Sequence, residues 1–175
     1  MKKPELLAPA GNLEKLKIAL AYGADAVYLG GEHYGLRAFA GNFSPRDMER
    51  GIYLAHKSGK RVYVTINILM RDDDLTNLPA YLEKLANLKA DGLIISDLGA
   101  LRLARRYAPQ IPVTLSTQAS VTNSEAAAIY RDLGVSRIVA ARELSLEQMA
   151  NIRQQTQVEI EAFVHGAMCI SYSGR

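Results

Sequence analysis

The sequence predicts an α/β protein, a (β/α)8 TIM-type barrel truncated after about seven strands. Seven short apolar runs recur along the 175 residues, at 5–8, 26–29, 62–66, 93–95, 113–115, 137–140 and 160–164. They are continuous rather than alternating, as expected of strands buried on both faces of a parallel sheet. The stretches between them have helical spacing. Three helix exits also resemble one another: Gly23-Ala24-Asp25-Ala26-Val27-Tyr28, Ala90-Asp91-Gly92-Leu93-Ile94-Ile95 and Gly134-Val135-Ser136-Arg137-Ile138-Val139. A β/α repeat leaves this trace.

Taken in order, the first strand turns at Ala8-Pro9-Ala10-Gly11-Asn12. A dinucleotide-binding doubly wound sheet would usually place Gly-x-Gly-x-x-Gly there, so the turn favours the barrel. Ser44-Pro45-Arg46-Asp47 starts the second helix, with an acceptor at the N-cap and proline at the first helical position. Asp72-Asp73-Asp74 reads as a solvated loop leading into the third helix, whose apolar stripe is Leu78, Tyr81, Leu82, Leu85 and Leu88. Thr122-Asn123-Ser124-Glu125 and Ser145-Leu146-Glu147-Gln148 read as capping boxes, and Ile129, Tyr130 and Leu133 as another apolar stripe. Gly23, Gly59 and Gly134 are placed to end helices in the left-handed conformation. A closed barrel needs an eighth strand. One domain over residues 1–175 is therefore expected, without its closing strand and C-terminal region.

Composition narrows the class. Hydrophobic residues make up 49% and charged residues 22%, which is ordinary for a globular protein and argues against disorder. Twenty-one Lys and Arg against eighteen Asp and Glu give a net charge of +3, compatible with a nucleic-acid partner. Met1-Lys2-Lys3 resembles the start of a signal peptide, but Pro4 and Glu5 interrupt it, and no apolar window is long enough for a membrane span. The single cysteine allows no internal disulfide, so a cytoplasmic protein is expected.

A β/α barrel works at the C-terminal ends of its strands. The residues there are Pro9 and Gly11; Gly30, Gly31 and nearby Arg37; Asn67; Ser96 and Asp97; Ser116, Thr117 and Gln118; Arg142 and Glu143; His165 and Cys169. Asp97 and Ser116 could equally be helix caps. Asn67 and Gln118 offer donors and acceptors without charge, for a ligand or for a structural hydrogen bond. Arg37 and Arg142 suit phosphate or carboxylate, although Glu143 could simply neutralise Arg142. His165 and Cys169 could be a base and nucleophile, or metal ligands. Arg102, Arg105 and Arg106 form a local basic patch that is either solvated or available to an RNA backbone. No hydrolase motif is present in its own right.

The terminal segment carries a resemblance. Glu161-x-Phe163-x-x-Gly166-Ala167-Met168-Cys169, followed by Ser173-Gly174-Arg175, resembles the signature of peptidase family U32, the collagenase-like proteases. The opening Pro4-Glu5-Leu6-Leu7-Ala8-Pro9-Ala10-Gly11, the Gly23–Tyr28 step and Leu115-Ser116-Thr117-Gln118 match it too. The form of the last thirteen residues is most similar to the branch that hydroxylates tRNA. That resemblance implies 5-hydroxyuridine formation at the wobble position, dependent on prephenate or a similar small molecule, with ribosomal RNA or a quinone ring as the substrates of sister branches and a peptidase as the alternative. It implies that Cys169 is one of four cysteines holding a 4Fe–4S cluster, the others lying beyond Arg175, so that this stretch alone is expected to hold none. The site so assigned has His165, Gln118, Asn67, Arg142 and Glu143 in catalytic roles. Arg37, Gly30, Gly31 and Arg175 are assigned to substrate binding. The open barrel edge is a possible route to a homo-oligomer.

Overall fold

The computed structural model describes residues 3–36 and 42–166. Its sheet has seven parallel strands in sequential order: β1 (Leu7–Pro9), β2 (Ala26–Gly30), β3 (Arg61–Ile66), β4 (Gly92–Ile95), β5 (Val113–Leu115), β6 (Val135–Val139) and β7 (Glu159–Glu161). Six helices alternate with them: α1 (Leu13–Ala21), α2 (Pro45–Lys57), α3 (Asp72–Asn87), α4 (Leu98–Tyr107), α5 (Ser124–Asp132) and α6 (Leu146–Thr156). Unbroken sequential order with a helix at each crossover is barrel topology, and a doubly wound sheet would reverse direction partway. The fold is thus a curled, partial β/α barrel, as the sequence predicts.

The two faces of the sheet have different company. Val27, Leu29, Val62, Val64, Ile66, Leu93, Ile95, Val113, Leu115 and Ile138 pack with the helices in one large core. That core includes the predicted α3 residues Leu78, Leu82 and Leu85, all fully buried. On the other face Ala26, Tyr63 and Ile94 form a separate small cluster with Leu7 and Tyr28. Gly92 pairs with Tyr63 in the ladder, and a methyl group at 92 would lie 2.7 Å from the tyrosine ring. The absent side chain makes room for that ring.

The repeated helix exits have a shared mechanical purpose. Asp25 Oδ2 accepts from the Leu6 amide at 3.0 Å, and Asp91 Oδ2 accepts from the Val62 amide at 2.8 Å. Ser136 Oγ donates to the Val113 carbonyl at 3.0 Å. In each case the polar residue ties the start of its own strand to the strand before it. The Leu6 amide, helped by Lys60 and Lys3, draws the half-buried Asp25 carboxyl below its ordinary range.

Several local expectations change. Asp72, Asp73 and Asp74 are the first turn of α3, not a loop, and the Asp74 carboxylate caps the Arg71 amide at 2.8 Å. Acidic groups stabilise that end of the helix dipole. The α5 cap is Asn123 rather than Thr122, with its Oδ1 accepting from Ala126. Ile129 and Leu133 are exposed while Tyr130 packs, partly buried, against the core and Ala127 is the buried residue of α5, so only part of that stripe faces inward. Residues 162–164 lie outside β7, which stops at Glu161. The Ser145–Gln148 capping box, the Ser44 cap and left-handed Gly23, Gly59 and Gly134 are as expected.

Candidate functional site

All seven strands run the same way, so Pro9, Gly30, Ile66, Ile95, Leu115, Val139 and Glu161 end at one pole. The residues that follow them form the candidate site.

Asn67 follows β3 and holds the loop after β2. Its backbone N–H donates to the Tyr34 carbonyl at 2.9 Å, and its side-chain Oδ1 accepts from the Leu36 amide at 3.2 Å. Gly30 and Gly31 are packed against their surroundings. A methyl group on Gly31 would lie 2.5 Å from the Tyr81 hydroxyl, and one on Gly30 would lie 3.1 Å from Thr65 Oγ1. Tyr81 is half-buried there against Tyr34 and Met48, and loss of solvent raises its pKa well above the ordinary tyrosine range. Gly31 thus gives the loop its close approach to α3, and Gly30 its fit against β3.

Asp97 and Ser116 act as caps. Asp97 Oδ1 accepts from Ala100 at 2.9 Å, and Ser116 Oγ from Gln118 at 3.4 Å. Ser116 also donates its amide to the Ile95 carbonyl at 2.7 Å, stitching the end of β5 to β4. Gln118 sits half-buried in a 3-10 turn, Thr117–Ala119, whose Thr117 hydroxyl donates to the Ala140 carbonyl at 3.3 Å.

Arg142 follows β6 and is half-buried, with its guanidinium 5.1 Å from the centre of the Phe163 ring. Glu143 is exposed. His165 is exposed in the bend beyond β7, before Gly166 at φ +125°. Arg37, Cys169 and Arg175 lie outside the described residues. Among the described residues, no three His, Cys, Asp or Glu side chains gather to hold a metal ion. The described residues do not themselves form a cluster site.

Below this pole, on the concave face, is an ionic group that the sequence reading missed. Glu5, just ahead of β1, accepts from the Tyr63 hydroxyl at 2.8 Å and pairs with Arg61 at 2.9 Å and Arg137 at 3.2 Å. Arg137 also meets Glu159 at 3.0 Å and Glu161 at 3.6 Å, and lies 5.3 Å from the Tyr63 ring centre. Burial, with the Glu5 carboxylate, pushes Tyr63 up to about 12. Burial raises the Glu161 carboxyl despite the pull of Arg137. The signal was legible in principle: Arg137 and Tyr63 interrupt apolar runs predicted to be buried, and a buried cation requires partners.

Sequential parallel strands with polar groups following their C-terminal ends define a β/α-barrel protein whose candidate ligand site is that rim. Comparison with known proteins carries this further. Residues 11–175 match peptidase family U32, and the chain belongs to that family. It is 47% identical over 174 residues to tRNA hydroxylation protein P1 of Bacillus subtilis, covering 99% of this chain and 41% of that protein. It is 50% identical over 177 residues to tRNA hydroxylation protein P of Helicobacter pylori, covering 100% and 42%. The chain thus spans about two fifths of the length of these relatives. A solved U32 peptidase superposes with a TM-score of 0.77 at 20% identity, over 93% of this chain and 70% of that one, in agreement on the fold. No helix among the described residues is long and apolar enough to cross a membrane.

Proposed function

We propose that this chain is the barrel portion of a tRNA-modifying hydroxylase that forms 5-hydroxyuridine at the wobble position in a prephenate-dependent reaction. The observation that carries the reading is near-half identity along the whole chain to two proteins named for tRNA hydroxylation. In this reading Asn67, Gln118, Arg142, Glu143 and His165 face the reacting nucleotide, with Gly30, Gly31, Arg37 and Arg175 on the substrate side. Cys169 supplies one thiolate to a 4Fe–4S cluster. Since the chain has one cysteine, the other ligands come from polypeptide outside it. The position of Asn67, Gln118, Arg142, Glu143 and His165 after the C-terminal ends of parallel strands, where β/α barrels bind ligands, supports this placement. Among the described residues β1 and β7 are the edge strands of the sheet, and a closing strand, or a second copy of the chain, would pair there.

The test is nucleoside analysis of tRNA from cells with and without the gene. Loss of 5-hydroxyuridine on deletion, restored by the wild-type gene, is expected. Unchanged levels in a strain without a paralogue would sink the proposal. Cleavage of denatured collagen by the pure protein, abolished by Cys169→Ala, would favour the peptidase instead.

A further inference from the structure

Beyond β7 the chain does something its composition does not anticipate. Residues 160–164 read as one apolar strand, yet the backbone leaves the sheet after Glu161 and carries two apolar side chains to the surface. Phe163 is 39% exposed and Val164 86% exposed. Phe163 is nonetheless held: the Arg142 guanidinium, from the end of the neighbouring strand, lies 5.1 Å from its ring centre. That distance is within the range in which a cation is attracted to an aromatic face. Beside the ring is an open hollow lined by Phe163, Val164, His165 and Gly166.

We propose that Phe163, steadied by Arg142, is a stacking surface for an unpaired nucleobase of the RNA substrate. The inference rests on the tRNA reading above and names the part of the site that would meet the base. Single-stranded RNA is recognised largely by stacking splayed-out bases on aromatic rings and guanidinium planes. Phe163 and Arg142 supply one of each, at the pole where the polar residues converge. A phosphate alone would need the cation and not the ring. An aliphatic partner would need the apolar surface and not the cation. A base makes use of both, and His165 at the edge of the hollow adds a hydrogen-bonding group.

The competing occupant is the protein's own chain beyond residue 175, which would use Phe163 as ordinary apolar packing. The substitutions separate the two because leucine keeps apolar bulk but has no π-face. The full-length protein and its Phe163→Leu, Phe163→Tyr and Phe163→Trp variants are titrated with an anticodon stem-loop RNA carrying a wobble uridine. Stacking predicts that Phe163→Leu weakens binding roughly 5- to 150-fold, the range for loss of one base–aromatic contact. Phe163→Tyr should bind like wild type, and the indole introduced by Phe163→Trp should be quenched on RNA addition. The unfolding midpoint of Phe163→Leu should be unchanged. Wild-type affinity in Phe163→Leu, with wild type itself binding the RNA, overturns the stacking role and leaves the tRNA reading intact. Failure of the wild type to bind the stem-loop counts against the tRNA reading itself.

Discussion

Arg137, in the sixth strand, reaches Glu5, ahead of the first, with Nη2 3.2 Å from Oε2. The contact spans the concave face and ties the sixth strand to the chain ahead of the first, which no hydrogen-bonded ladder joins among the described residues. Arg137 is 17% exposed and Glu5 14%, so neither charge is well hydrated. Removing one member takes a charged partner from the other, which keeps Arg61 and Tyr63 in the case of Glu5 and Glu159 and Glu161 in the case of Arg137, at a cost of about 1.5–3 kcal/mol. Arg137→Met should therefore lower stability by about that amount, and Glu5→Gln by less, since a neutral amide can still accept from Tyr63. Urea unfolding of the single and double variants gives the coupling between them. Strictly additive losses would mean that the two residues do not act as a pair.

Glu161 and Asp25 should make opposite contributions to the pH dependence of stability. Burial raises the Glu161 carboxyl, so the folded chain holds that proton more tightly than the unfolded chain. Its stabilising contribution is complete below the unfolded value and is lost as pH rises through the folded one. Asp25 is lowered, chiefly by the Leu6 amide, so its contribution is present above the unfolded value and lost as pH falls through the folded one. Glu161→Gln should thus flatten the decline on the alkaline side, and Asp25→Asn should flatten the loss on the acid side. Unfolding midpoints measured from acid to neutral pH decide both. The idea fails if either substitution flattens the opposite limb.

Gly92 is where the ladder makes room for Tyr63. A methyl group there would meet ring carbons at 2.7 and 3.1 Å, closer than a settled core tolerates. The ring cannot easily retreat, because its hydroxyl is bonded to Glu5 and Arg137 lies over its face. Gly92→Ala should cost about 1–3 kcal/mol, the usual range for overpacking. The double variant Gly92→Ala with Tyr63→Leu should recover part of the loss, as read by thermal unfolding.

The barrel was legible because parallel strands buried on both faces leave continuous apolar runs, and because Asp25, Asp91 and Ser136 recur where each strand is stitched to the previous one. What eluded the sequence depends on which residues meet in space. Nothing local places Glu5 beside Arg137, 132 positions later. Apolar Ile129 and Leu133 match a helix stripe, yet the packing of α5 turns small Ala127 inward instead. At the candidate site, Asp97 and Ser116 could be read either as ligands or as caps, and only the structure shows them accepting from the Ala100 amide at 2.9 Å and the Gln118 amide at 3.4 Å. Phe163 belonged to a recognised motif, but its exposure depends on where the seventh strand stops.

Asn67 allows the structural and chemical roles of a rim residue to be measured apart. Its Oδ1 holds the Leu36 amide at 3.2 Å, a contact that a carboxylate can keep and an isobutyl group cannot. Asn67→Leu should therefore loosen the loop after the second strand and lower stability by about 1 kcal/mol. Asn67→Asp should leave stability nearly unchanged while replacing the amide N–H donors with an acceptor and a negative charge. If the carboxamide also meets the nucleotide, both variants lose tRNA hydroxylation in the full-length protein, and the aspartate variant does so without loosening. Hydrogen exchange at residues 31–36, read beside nucleoside analysis, separates the outcomes. Full hydroxylation by Asn67→Asp would confine this residue to holding the loop.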